Sequence, residues 1–313
     1  MSKRFNGKVL GKIGLVLVGL VIVGAFGGRA WYFAACNDSQ HDRAWLLARI
    51  DESIGKGYEY LYQSKKFLQP VRGGGELPIH HLVLDLALAR EPHAGLETQK
   101  ASARASNRGN PQWTIWNGLT DYGPMPEKEA EWTLMQRAVD ETPNNFSAWF
   151  LAVAYAQRLE RLEGIHQKLF HRTDQLKTIY DLTHALMSYW FIEQHQLEGL
   201  PSADVIADAK RRVNERLMAQ QAWAPTVGDA FIEVVAVWAL DGEPEIRQRW
   251  IERILEAQNA DGGWVTAPSY LRRVQGLLGL PQREEASEIH PTFLALLALT
   301  CYRDQLTVEG SVD

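Results

Sequence analysis

Six polar residues stand at or near the starts of segments that are otherwise almost wholly apolar: His81, Asp181, His184, Asp229, Glu233 and His290. His81 precedes Asp85 by four positions, Asp181 precedes His184 by three, and Asp229 precedes Glu233 by four. At those spacings each pair can share one helix face. Imidazoles joined by one or two carboxylates suit Zn or a similar divalent cation, each imidazole being oriented by an acceptor behind it. The set placed for this is His184, Asp229 and His290. A His beside an acid is also poised for proton transfer near neutral pH. The structural alternative is capping, since Asp181 and Asp229 are good N-cap or first-turn residues and a His at a helix start can simply bond a loop. His80 and His81 lie about 100° apart on a helix, so at most one of them faces a common centre well.

The elements that must hold these residues are helices, because no stretch shows sustained period-two alternation. HHLVLDLALAR from His80, NFSAWFLAVAYAQRL from Asn145, YDLTHALMSYWFI from Tyr180, GDAFIEVVAVWAL from Gly228 and HPTFLALLALTCY from His290 are nearly all apolar. Between them run amphipathic segments over 41–63, from Pro126, from Ser202 and from Glu243. A helix apolar all round is buried on all sides, and an amphipathic one covers it with its polar face in water. Two concentric helical layers satisfy this alternation, and the polar starts of the inner helices would then gather around one end of a cavity. An irregular bundle or a superhelical solenoid remains the alternative. The spacing of the apolar segments is too irregular for a short-repeat solenoid. Lys210, Arg211 and Arg212 read as a solvated outer face. Trp113, Trp116 and Tyr122 lie in a Pro/Gly/Asn-rich loop that could cap the cavity or simply pack down, and His166, His171 and His195 fall in polar surroundings.

The N-terminus points to a membrane. Residues 10–28 contain a single charge, Lys12, and as a helix would span roughly 28 Å, close to a bilayer core. Lys3, Arg4, Lys8 and Lys12 precede or open it, and Trp31 and Tyr32 follow at interface depth. The positive-inside rule then predicts residues 1–9 in the cytoplasm, a single-pass anchor over 10–33 in the inner membrane, and residues 34–313 on the extracytoplasmic, periplasmic side. Two rivals remain: a cleaved signal peptide, and lipidation at Cys36, which ends Ala34-Ala35-Cys36. Cys36 and Cys301 could pair, or Cys301 could be core. Gly11, Gly14, Gly19, Gly24, Gly27 and Gly28 would let the anchor pack closely against an integral membrane partner. With a net charge of -5 and no basic run beyond the first dozen residues, a nucleic-acid partner is excluded.

One further motif bears on the architecture. Residues 258–264 read QNADGGW and close the amphipathic run RQRWIERILEA. Ile254, Gln258, Gly262 and Trp264 resemble the QW-type motif of the terpenoid cyclase and protein prenyltransferase superfamily, which ends an outer helix of an α/α toroid. The resemblance implies an all-α toroid after the anchor. It also implies that Gln258 bonds the peptide groups at its own helix end, that Asp261-Gly262-Gly263 turns, and that Trp264 folds back as an apolar clasp. Asp229 and His290 sit as two zinc ligands of the prenyltransferases do. Phe231 stands where those enzymes have a ligating cysteine, and the cyclases' D-x-D-D motif is absent, so the resemblance carries the fold and not prenyl transfer. The expected function is therefore a membrane-anchored toroid whose polar cavity takes a metal, a lipid-like ligand or a glycan. The alternative is a non-enzymatic accessory subunit of a larger membrane complex, and the sequence leaves open whether the domain is an enzyme.

Overall fold

The structure is a computed structural model. It describes residues 28, 30–64, 76–106, 176, 178–194, 203–224, 226–242, 246–266 and 286–309, with the backbone alone for 76–81, 104, 191 and 192. Its helices are α1 Arg43–Ser64, α2 Glu76–Leu88, α3 Ala94–Ser106, α4 Ile179–Gln194, α5 Ala203–Gln221, α6 Asp229–Asp241, α7 Gln248–Glu256 and α8 Ile289–Glu309. A short helical stretch over 30–37 precedes them. Among the described residues the protein is all-α, the one β contact being an isolated bridge between Trp264 and Glu288. The helices expected from Pro126 and Asn145, the loop bearing Trp113, Trp116 and Tyr122, and His166, His171 and His195 lie outside the described residues. So do residues 10–27 of the expected anchor; no helix among the described residues is long and apolar enough to cross a membrane.

The apolar segments form the interior. Every residue of α6 from Phe231 to Leu240 is buried, as is α8 from Pro291 to Tyr302. α6 and α8 pack together along their length; α8 also lies against α2, and α6 against α4. The amphipathic helices cover these four with single apolar stripes. In α5 the stripe is Ile206, Ala209, Val213 and Leu217, and in α1 it runs through Leu46, Ile50, Ile54, Tyr58 and Leu61. At about 1.5–3 kcal/mol for each large side chain buried, these stripes supply most of what holds the outer helices on. α6 stops at Gly242, whose φ of 76° is the left-handed conformation that a Cβ disfavours, and its N–H donates to Trp238 O.

Lys210 departs from the sequence expectation. Only 15% of its side chain is exposed, and it bonds Asp241 at 2.7 Å and Glu193 at 2.9 Å. The ammonium thus bridges the ends of α4 and α6. Arg211 does form solvated pairs, with Asp208 and Glu215. Cys36 and Cys301 are both buried free thiols, so the disulfide considered for them is not formed. Burial pushes the Cys301 thiol up to about 12, which makes it an inert core residue.

QNADGGW closes α7 by pinning three helices together. Gly262 has φ of 91°, and a Cβ there would lie 2.3 Å from Lys56 O. Gln258 Nε2 donates to Gly262 O at 2.9 Å and to Ser53 O on α1 at 2.9 Å. The expectation that Gln258 serves its own helix end is thereby corrected: its amide closes the turn and reaches across to the neighbour. Trp264 is 1% exposed, and its indole N–H donates to Ile254 O at 2.8 Å. The Trp264 backbone N–H meets Thr292 Oγ1 at 3.1 Å, and its carbonyl accepts the Glu288 N–H at 2.8 Å. Tyr60 adds a bond to Ser287 O at 2.6 Å. The start of α8, and with it His290, is fixed from both sides.

Candidate metal centre

Three helix starts meet at one end of the interior. α4 begins with a reciprocal capping box: Thr178 N–H donates to Asp181 Oδ2 at 3.0 Å, and Asp181 N–H donates to Thr178 Oγ1 at 3.1 Å. Asp181 therefore caps its own helix start. With the first turn fixed, Tyr180, Thr183 and His184, at i, i+3 and i+4, share the face that meets α6. α6 begins differently. Gly228 holds the N-cap position in an extended conformation with no side chain to cap, and the Asp229 N–H is taken by Thr266 O at 2.7 Å. The Asp229 carboxylate is thus free of capping work and points, with Glu233 one turn on, towards α4 and α8.

The contacts are specific. Tyr180 OH donates to Asp229 Oδ2 at 2.9 Å, and Thr183 OH lies 2.5 Å from Glu233 Oε1. His184 Nε2 is 3.3 Å from that same Oε1, and His290 Nδ1 is 2.8 Å from Asp229 Oδ1. Each carboxylate therefore has one oxygen held by a hydroxyl of α4. The other two oxygens, Asp229 Oδ1 and Glu233 Oε2, are buried and accept no hydrogen bond. Both acids are nearly sealed, at 4% and 2% exposure, whereas the His184, His290 and Tyr180 side chains open to solvent.

No Lys or Arg among the described residues pairs with either acid. The first-turn position of Asp229 gains from the helix dipole, but that is worth only about 0.3–1 kcal/mol. A buried carboxylate without a cation costs several times more. The Tyr180 phenol is pushed up by burial and by the Asp229 carboxylate it bonds, so it stays a donor throughout the physiological range.

One atom from each of Asp229, Glu233 and His290 can be chosen so that all three lie within 4.8 Å of one another. A single cation with bonds of about 2.0–2.6 Å can span that distance. The set differs from the expected His184, Asp229 and His290. Glu233 stands in the group in place of His184, and His184 lies 3.3 Å from the Glu233 oxygen that the hydroxyl of Thr183 also meets. Two carboxylates and one imidazole suit Zn or Mn. His81 has its side chain outside the described residues, and its partner by spacing, Asp85, is paired with Lys100 on α3. Thr183, a polar residue at the start of an apolar segment, is legible beside His184, whereas Tyr180 is missed by residue type; its signal is the Tyr180-x-x-Thr183-His184 spacing. Comparison of the chain with family models, with curated proteins and with solved structures gives no match.

Proposed function

We propose that the chain is a membrane-anchored α/α toroid, its bulk on the extracytoplasmic side, whose polar end holds a divalent cation between Asp229, Glu233 and His290 and uses it to bind a ligand. The observation that carries the cation is the convergence of one atom each of Asp229, Glu233 and His290 within 4.8 Å, beside two buried carboxylate oxygens that accept no hydrogen bond. Neutral donors behind the ligands are what a metal site uses to orient them. The toroid is supported by the neighbour order α4, α6, α8, α2: successive apolar helices pack side by side in chain order, and the last lies against the first. The anchor rests on the uncharged run after Lys12.

Calorimetric titration of the purified full chain with Zn and with Mn tests the site. Wild type takes up one cation per chain, and Glu233→Gln takes up none. Absence of binding by wild type, or equal binding by the variant, would remove the cation from the reading. A second reading, proton transfer by two His–carboxylate pairs, is favoured by the 2.8 Å approach of His290 to Asp229 and the 3.3 Å approach of His184 to Glu233. In that case the imidazoles supply the positive charge themselves, and His290→Ala stops turnover without any metal dependence. The accessory-subunit alternative is tested by co-purification from mild detergent.

A further inference from the structure

The segment that joins the expected anchor to the domain is not a free tether. Residues 30–37 are helical, and Asn37 locks them down. Its side-chain amide donates to Ala222 O at 3.0 Å, while its carbonyl oxygen accepts the Trp250 indole N–H at 3.1 Å. Arg249 Nε adds a bond to Ala35 O at 3.2 Å. Asn37 is 6% exposed, so this attachment is part of the folded domain.

On the outside of the attachment lies an aromatic face. Tyr32 stacks on Trp223 with ring centroids 6.4 Å apart and planes at 13°, and Phe33 meets the same indole at 5.0 Å. The guanidinium of Arg247 lies 5.4 Å from the Phe33 ring. Trp31 is 68% exposed and Trp223 38%. Clustered Trp and Tyr with a nearby Arg is the composition of a surface seated at lipid headgroups, where an indole can be apolar on one side and wet on the other. The chain enters this face from 19 residues that hold one charge, at their start.

We propose that the face formed by Trp31, Tyr32, Phe33 and Trp223 lies on the bilayer surface, so that the domain is held in one orientation rather than swinging on its anchor. The proposal rests on the anchor reading above. It also places the candidate metal centre. Trp223 lies two residues past the end of α5, whose last residue, Gln221, donates to Phe231 O in the first turn of α6. The Arg253 guanidinium connects the same parts, bonding Ala224 O at 2.8 Å and covering the Phe231 ring at 4.6 Å. The aromatic face and Asp229 are therefore at the same end of the helices, and the site opens near the lipid surface.

The test uses the full chain in vesicles of phosphatidylcholine and phosphatidylglycerol whose acyl chains carry bromine close to the headgroup, which quenches an indole on contact. Wild type, Trp31→Phe and Trp223→Phe are compared in brominated and plain vesicles, so that each substitution reads the quenching of one indole. Loss of both the Trp31 and the Trp223 emission is expected. Quenching of Trp31 with an unquenched Trp223 leaves the anchor in place and overturns the docking; shielding of that unquenched Trp223 from iodide would assign the face to a protein partner instead. Quenching of neither indole overturns the anchor reading as well. Quenching of Trp223 without Trp31 overturns the proposal too, because the two must reach the lipid together.

Discussion

Two buried acidic clusters lie on neighbouring helices and are built on opposite principles. On α7, Glu252 is fully buried and saturated. It accepts the backbone N–H groups of Gln40 and His41, the Gln248 amide at 2.9 Å and Arg249 Nη1 at 3.3 Å. Arg249 in turn grips Glu256 through both terminal nitrogens and Ala35 through Nε. On α6, Asp229 and Glu233 are as deeply buried, yet among the described residues their carboxylates meet hydroxyls and imidazoles, and two of their oxygens accept no hydrogen bond. The first cluster is complete without any addition and ties the N-terminal segment to the domain. In the second, no Lys or Arg among the described residues supplies a positive charge. A buried acid that a fold leaves unpaired lowers stability, and such a cost is characteristic of groups retained for binding or chemistry.

Removing the acid should therefore have opposite effects in the two places. Glu252→Ala leaves Arg249 and several donors buried without their acceptor and should cost about 3–5 kcal/mol, read as a fall in denaturant midpoint. The pH dependence gives the same contrast. Burial alone would raise the Glu252 carboxyl, but the hydrogen bonds from Gln248, Gln40, His41 and Arg249 outweigh it and hold the group below its usual value. A depressed acid contributes fully above its unfolded value, about 4.3, and loses that contribution as pH falls through the folded one. The stability gap between wild type and Glu252→Gln should thus be widest at neutral pH and close in acid.

In the other cluster, a saturating cation should stabilise the wild type by about 2.7 kcal/mol at one hundred times its dissociation constant, and should leave Glu233→Gln unmoved. Measured without any divalent ion, Glu233→Gln should be more stable than wild type by about 1–2 kcal/mol, since it removes a buried charge that no cation compensates. A loss of stability in that variant would mean that the imidazoles already neutralise the acids, and the contrast between the clusters would disappear.

The two aspartates at helix starts show how far the sequence could be read. Thr178-x-x-Asp181 is a complete capping box within four residues, so the fate of Asp181 was legible locally. Asp229 follows a glycine that cannot cap, and its neighbour four residues on is an acid buried in an otherwise apolar helix; that too was legible, and it marked the site. The apolar and amphipathic alternation gave the buried and covering helices because a wrong face would expose a whole stripe. That Glu233 rather than His184 groups with Asp229 and His290 was not legible, because spacing within one helix does not say which side chains of different helices meet. Nor was the docking of Asn37 on Ala222 and Trp250, a contact between residues about two hundred positions apart whose types carry no signal. Lys210 misled for a related reason: its charge suggested water, while Asp241 and Glu193 come to it only in the folded chain.

The smallest expected effect on stability probes the hydroxyl that holds Asp229. Tyr180→Phe removes one hydrogen bond at a half-exposed position, where water can replace the lost donor, and should cost about 0.5–1 kcal/mol, the low end of an ordinary hydrogen bond. Its effect on cation affinity should be larger in proportion, about 10–100-fold, because loss of the donor frees the carboxylate to rotate and adds a reorganisation cost to every binding event. The ring itself stays, so packing against the start of α6 is unchanged and the two readouts separate. An equal shift in both, or a stability loss with unaltered affinity, would make Tyr180 a packing residue that happens to reach an acid. A loss of affinity with little change in the melting curve would make Asp229 Oδ1 and Glu233 Oε2 the ends of a prearranged clamp, rigid on the α4 side and open on the side of His290.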